Sequence, residues 1–349
     1  MKPRLLTKNE QHVLYGLVTY PTLSDSALSE QLNIKLSTLT SIKRRLETGG
    51  FFRTLTVPLV NRLDCELLAI IYTQFNPVIP LDQRVQATKK NIEIFDEIFF
   101  SVGEQEKGFS ISLAQNYTAI GRINEIRTEI FGKLGLLEHE YPHEIIFPFE
   151  TSHIPTFFDC SRLLATMFSI DDHRSQQPQW FHSLEPVTLT KKEQQVYIAL
   201  VQHPDATTQD IGDIVNLSRH TVSRMKQKFF SENLLQTIVF PNLALLGVDF
   251  LGFSHIPFNP HNAPNNDDIA VLNTPYTILL AQKKFEAVLI SAYPTFQEYK
   301  EDEMKKLRFL KENNLISSPP LMSMYTYGRM IVIKDFDFVS LTKKIFASS

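Results

Sequence analysis

A chain of 349 residues, 43% hydrophobic and 21% charged, is too long for one compact core and is expected to divide into two or more globular domains. No apolar run approaches the 18 residues of a membrane span, and "MKPRLLTKNEQ" lacks the apolar centre of a signal peptide, so a cytoplasmic protein is expected. The net charge of −3 gives no general sign of a nucleic-acid partner, and two distant cysteines, Cys65 and Cys160, fit neither a disulfide framework nor a metal cluster.

The first element opens on a capping box, Thr7–x–x–Glu10, ahead of Val13, Leu14, Leu17 and Val18 at helical spacing, and Pro21 ends it. A short helix over Asp25–Gln31, the turn "LNIKLS" and a third helix from about Ser37 to Glu47 follow, then the strand-like "FFRTLTV". Three short helices completed by strands predict a winged helix-turn-helix over residues 1–62. The third helix turns Leu39, Ile42 and Leu46 inward. Its opposite face carries Ser37, Ser41 and Arg44, flanked by Thr38 and Arg45.

Residues 63–156 then read β-α-β-β-α-β: "CELLAIIYTQF", a helix over Leu81–Phe95, "EIFFSV", a turn at Gly103–Lys107, "GFSISLAQ", a helix over Tyr117–Leu134, and "EIIFPFE". That order predicts a ferredoxin-like domain. Residues 157–188 read as a helix ("FFDCSRLLATMF") and an interdomain linker, with Trp180 and Phe181 docking on a neighbour.

At residue 189 the chain repeats itself. A shift of 183 aligns Thr7 with Thr190, Glu10 with Glu193, Leu17 with Leu200, Pro21 with Pro204, Asn33 with Asn216, Lys43 with Lys226 and Pro58 with Pro241. Chance does not hold one offset over about 70 residues, so an internal duplication is expected. Residues 189–245 form a second winged helix-turn-helix, with a second helix over Thr208–Val215 and a third from about Arg219 to Phe230. In that third helix Val222, Met225 and Phe229 face inward. His220, Arg224 and Gln227 face outward, flanked by Thr221 and Lys228. Residues 246–349 give a second ferredoxin-like domain, "VDFLGFSHIPF", a shorter helix after Pro264, "YTILLAQ", "FEAVLISAY", a helix over Thr295–Asn313 and a last strand within "MYTYGRMIVI", closed by a C-terminal helix. The fold class is therefore α+β, two winged helices and two ferredoxin-like domains with their sheets in a pseudo-twofold arrangement.

Charge is local. Residues 1–62 hold nine Lys and Arg against four Asp and Glu, or +5; residues 189–245 hold six against five, or +1; the remainder carries −9. The positive charge lies where phosphates would lie. The candidates for base reading are Ser37, Thr38, Ser41, Arg44, Arg219, His220, Thr221, Arg224 and Gln227; those for phosphate contact are Lys35, Lys43, Arg45, Arg53, Lys226 and Lys228.

"LSRHTVSRMKQKFFSENLL" from Leu217 is similar to the recognition-helix phrase of the leucine-responsive regulatory (Lrp/AsnC) transcription factors, in Leu-Ser, the Thr-Val pair and Arg224. "GEQEKGFSISLAQ" from Gly103 resembles, more loosely, that family's effector-domain segment, whereas the corresponding "AQKKFEA" of the second copy does not. The resemblance implies a prokaryotic, archaeal transcription regulator that binds double-stranded DNA. It further implies a small-molecule effector in the ferredoxin-like domains and a homodimer. Two fused readers would recognise an imperfect palindrome with half-sites about 34 Å apart. No enzymatic activity, cofactor or metal is expected on this reading.

Other motifs compete poorly. "HEYPH" at 139–143 matches the H-E-x-x-H zinc pattern, but Pro142 discourages the helix that chemistry needs. His12 and His255 stand in apolar patterns and read as core histidines. The alternative function is that of the siroheme decarboxylases, tetrapyrrole enzymes on the same architecture. Their His/Tyr/Arg-rich strand segment is missing from "EIFFSVGEQ" and "YTILLAQKK". A binding scaffold without DNA contact is the remaining reading.

Overall fold

The structure, a computed structural model, describes residues 6–138, 141–171, 180–182 and 185–348. In chain order the first half gives α1 (Lys8–Thr19), α2 (Asp25–Gln31), α3 (Leu36–Thr48), β1 (Phe52–Pro58), β2 (Leu67–Gln74), α4 (Leu81–Glu93), β3 (Ile98–Gly103), β4 (Lys107–Ala114), α5 (Tyr117–Lys133), β5 (His143–Pro148), β6 (His153–Phe157) and α6 (Ser161–Phe168). The second half gives α7 (Lys191–Gln202), α8 (Thr208–Val215), α9 (Arg219–Ser231), β7 (Leu235–Pro241), β8 (Phe250–Pro257), α10 (Asn266–Leu272), β9 (Thr277–Lys283), β10 (Glu286–Tyr293), α11 (Phe296–Glu312), β11 (Leu321–Thr326), β12 (Ile331–Asp335) and α12 (Val339–Ser348).

These elements gather into two compact units, each drawn from separated segments. One comprises Met1–Leu55, His153–Trp180 and Thr237–Gly328; the other comprises Thr56–Ser152, Phe181–Gln236 and Arg329–Ser349. Each holds one helix-turn-helix and one five-stranded sheet. The helix-turn-helix of each half therefore shares a unit with the sheet of the other half, an exchange that contiguous domains do not describe.

In the first unit the sheet runs β11-β8-β10-β9-β6, in the second β12-β3-β4-β2-β5. Numbered within each half, four strands of both sheets stand in the order 4-1-3-2, the ferredoxin-like arrangement. The fifth strand is an exchange: β6 of the first half pairs with β9, Phe157 opposite Leu279, and β12 of the second half pairs with β3, Ile331 opposite Gly103. The single last strand expected within 324–333 is thus two strands. The turn at Tyr327–Arg329 separates them, so β11 pairs with β8 while β12 crosses to the other sheet.

Alternation fixes the cores. Leu67, Ala69 and Ile71 of β2 point one way and meet Ile92 of α4 and Ile120 and Ile123 of α5. Ile256, Leu280 and Leu289 meet Leu272 and Leu310 in the first unit. Trp180 packs on Phe157 at 5.0 Å in the first unit, and Phe181 stacks on Phe149 at 5.0 Å in the second. The docking expected of that aromatic pair holds, on two different units. Both cysteines are buried and free. His12 is exposed rather than in the core, because it lies on the solvent side of α1; His255 is half-buried and bonded to Glu286 at 2.6 Å.

The wing is corrected. No hairpin follows α3 or α9 among the described residues. Each half supplies one strand, and β1 pairs with β7 in a two-stranded sheet. The Asn242 N–H donates to Phe51 O at 2.8 Å and the Leu59 N–H to Leu234 O at 2.9 Å. Each strand finds its hydrogen-bond partner in the other half and has no need of a returning strand of its own.

Candidate nucleic-acid interface

The two helix-turn-helix segments are built from the same local chemistry. Thr7 and Thr190 cap α1 and α7, each accepting from the N–H of the glutamate three residues on, while that carboxylate accepts from the threonine N–H at 2.8 and 2.9 Å. Thr207 and Asp210 repeat the device on α8. The turn into the third helix passes through left-handed backbone at Asn33 (φ 51°) and Asn216 (φ 54°), a conformation that asparagine tolerates. At Gly212 an added Cβ would stand 2.7 Å from Leu217 O, so only glycine admits the tight second turn. Ser218 then caps α9, accepting from the Thr221 N–H at 3.3 Å.

Burial divides α3 and α9 as the periodicity predicts, with one exception. Leu39, Ile42 and Leu46 are buried in α3, and Val222 and Phe229 in α9, whereas Met225 is only half-buried. The outward faces present Ser37, Ser41 and Arg44 on α3, and Arg219, His220, Arg224 and Gln227 on α9, all exposed; Thr38 and Thr221 are half-buried at the margins. No ion pair or side-chain hydrogen bond engages Arg44, Arg219, Arg224 or Gln227. They are open to an outside partner.

The phosphate candidates separate into two groups. Lys35 and Lys226 have no ionic partner, Lys35 exposed and Lys226 half-buried. Lys43 is held by Asp25 at 2.7 Å, Arg45 by Glu10 at 2.9 Å and Lys228 by Glu193 at 2.8 Å; Arg53 is half-buried and also engaged. Arg45 and Lys228 occupy matching positions and pair with matching glutamates. The cap carboxylate of the first helix thus fastens the third helix in both copies. Sequence reading treated those glutamates as caps only and missed this second role.

Burial raises the Glu193 carboxyl, but the hydrogen bonds from Lys228 and Thr190 outweigh it and hold the group below its ordinary value. A depressed carboxyl contributes stability in full above its unfolded value, about 4.3 for glutamate, and loses it as pH falls through the folded value. Glu193→Gln is therefore expected to flatten the fall in stability below about pH 4.3, read as the midpoint of urea unfolding. Lys228→Ala is expected to cost about 0.2–1 kcal/mol of stability, the usual worth of a pair this exposed. A wild-type acid limb in Glu193→Gln would remove the staple.

Of "HEYPH", His139 and Glu140 lie outside the described residues; His143 starts β5 and stacks on Tyr72 at 4.8 Å. No group of acidic, histidine or cysteine residues suited to a metal ion occurs among the described residues, and no described helix is long and apolar enough to cross a membrane. The second unit also buries Arg84 and Arg127, each 2% exposed, which sequence reading passed over.

No family model and no curated protein matches this chain. Among solved structures, the siroheme decarboxylase NirDL is similar over 97% of this chain and 99% of its own, with a TM-score of 0.54 and 9% identity. The same enzyme with an iron-uroporphyrin III analogue gives a TM-score of 0.54 and 10% identity over the same shares. An AsnC-family transcriptional regulatory protein of Pyrococcus furiosus matches 41% of this chain and 89% of its own, with 21% identity and a TM-score of 0.32. At these identities a likeness establishes the fold alone. It nevertheless corrects one expectation, that the chain is not an enzyme: the fold it shares from end to end is one on which a decarboxylase is built.

Proposed function

We propose that this protein binds double-stranded DNA through the outward faces of α9 and α3, as a sequence-specific regulator. The observation that carries the reading is the set of exposed side chains on α9, Arg219, His220, Arg224 and Gln227, opposite the buried Val222 and Phe229. Arginine presents paired donors and glutamine a donor beside an acceptor, which match base edges, and Arg219, His220 and Arg224 lie in the N-terminal half of the third helix, where such side chains reach them. Arg44, Ser37, Thr38 and Ser41 form the second reader, and Lys35 and Lys226 are the phosphate contacts. The two readers differ in sequence, so the target is an asymmetric palindrome. An internal duplication with contiguous ancestral units, 1–62 and 63–156 repeated as 189–245 and 246–349, accounts for the offset of 183. Two buried free thiols suit a reduced cytoplasm. Selection of duplexes from a random pool on the purified chain, followed by sequencing, is expected to return one enriched site with two unlike halves. Retention without enrichment would reduce the interface to a non-specific one.

A second reading, tetrapyrrole decarboxylation, is favoured by the full-length likeness to NirDL. Against it, the strands "IFFSVG" and "TILLAQK" of β3 and β9 carry no histidine, tyrosine or arginine. Addition of siroheme separates the two readings. A shifted visible absorption band with release of carbon dioxide supports the enzyme; an unchanged spectrum supports the regulator.

A further inference from the structure

Arg127 lies ten residues into α5, and Lys306 lies ten residues into α11. Both are buried against their sheets, Arg127 2% and Lys306 1% exposed. Their surroundings differ. Lys306 is neutralised by Asp302 and Glu303, one turn earlier on the same helix, at 2.7 and 3.6 Å. The residues that stand one turn before Arg127 are Ile123 and Asn124, which carry no charge.

Arg127 is joined by a second buried guanidinium, Arg84 of α4. Arg127 donates to Ser110 Oγ at 2.9 Å and Arg84 donates to the carbonyl of Glu104, yet neither has an ion-pair partner. The Nε atoms of both, and the Thr88 hydroxyl beside them, are buried without a hydrogen-bond partner. Phe75 lies under Arg84 with its ring centre 4.4 Å from the guanidinium carbon. Burial pushes both guanidinium groups down to about 10, still charged at neutral pH. These groups line a small cavity of about 10 Å³ together with Ser101 and Phe109.

Two buried positive charges without a counter-charge are costly, and buried charges are normally paired. The cavity is lined by two arginines and by no acidic side chain, a lining that suits an anion rather than a cation or an apolar ligand. Its size admits a water-sized occupant, not a sugar, nucleotide or amino acid. We propose that Arg84 and Arg127 form an anion site in the second unit that takes a single halide ion. Guanidinium groups can direct several N–H donors at one anion, and the tight cavity selects a monatomic one over a triatomic carboxylate.

The test is thermal unfolding of the full chain at fixed ionic strength, with chloride, bromide or formate replacing gluconate, which is too large for the cavity. A saturable rise of about 5 °C is expected with chloride and bromide at a hundredfold excess over the dissociation constant. Arg84→Met and Arg127→Met should each abolish it. Formate, with three heavy atoms, should give no rise, and formate acting where chloride and bromide do not would overturn the halide assignment. Chloride nuclear magnetic resonance of the wild-type protein, broadened by binding and sharpened by added bromide, gives a reading that needs no variant. Equal midpoints in all salts, together with unbroadened chloride, would overturn the site, as would an anion effect that survives in both methionine variants. None of these readouts involves DNA or a tetrapyrrole, so the site stands or falls apart from either reading of function.

Discussion

Lys306→Ala is expected to destabilise the protein by about 3–5 kcal/mol, the cost of removing one partner from a buried charge network. Lys306 binds Asp302 Oδ2 at 2.7 Å and Glu303 Oε1 at 3.6 Å, and all three side chains are nearly inaccessible. The carboxylates also accept from Tyr293, which reaches Asp302 Oδ2 at 2.7 Å and Glu303 Oε1 at 3.1 Å, from Thr274 at 3.2 Å and from Ser254 at 3.2 Å. Hydroxyl donors cannot replace the cation: without it two like charges remain in a low-dielectric interior. Most of the loss should return in the triple variant Lys306→Met, Asp302→Asn, Glu303→Gln, which keeps the shapes and removes the charges. Urea unfolding of the three proteins measures this. A loss below 1 kcal/mol in Lys306→Ala would mean that water enters the network, and no recovery in the triple variant would assign the cost to packing instead.

That network, and its counterpart around Arg127, show where sequence reading stops. Helix starts were legible because the Thr–x–x–Glu boxes act locally, and the strands were legible because "CELLAIIYTQF" and its repeat are short apolar runs, buried on both faces of a central strand. The exchange of β6 and β12 was not. Local pattern says that a segment is a strand; which edge it joins depends on distant hydrogen-bond partners. The wing failed for the same reason, since β1 and β7 look like halves of hairpins and pair with each other. Arg84 was hidden in "LDQRVQATKKNIE", where polarity all round reads as solvation. Arg127 left a faint signal. It falls in register with the buried Ile120, Ile123 and Phe131, and a cation on an apolar stripe needs a reason. Of the candidate DNA contacts, composition could not separate cations that are already paired, such as Arg45 and Lys228, from those that are open, such as Arg224.

Arg224→Ala is the substitution expected to cost most in binding. The side chain is exposed on the face opposite Val222 and Phe229, in the N-terminal half of α9, with no internal partner. A bidentate arginine–base contact is worth about 1–3 kcal/mol of discrimination, which is about 5- to 150-fold in the dissociation constant on the selected site. On scrambled duplex the loss should be small, because no base contact exists there to lose. Lys226→Ala should behave oppositely, weakening specific and scrambled duplexes alike and reducing the salt slope by about one, as a phosphate contact does. Ser41→Ala on α3 should cost less than Arg224→Ala, since a hydroxyl makes a single short contact. Titrations of each variant at several salt concentrations distinguish the roles. Equal losses on both duplexes would make Arg224 a phosphate clamp, and no loss on either would take α9 off the DNA.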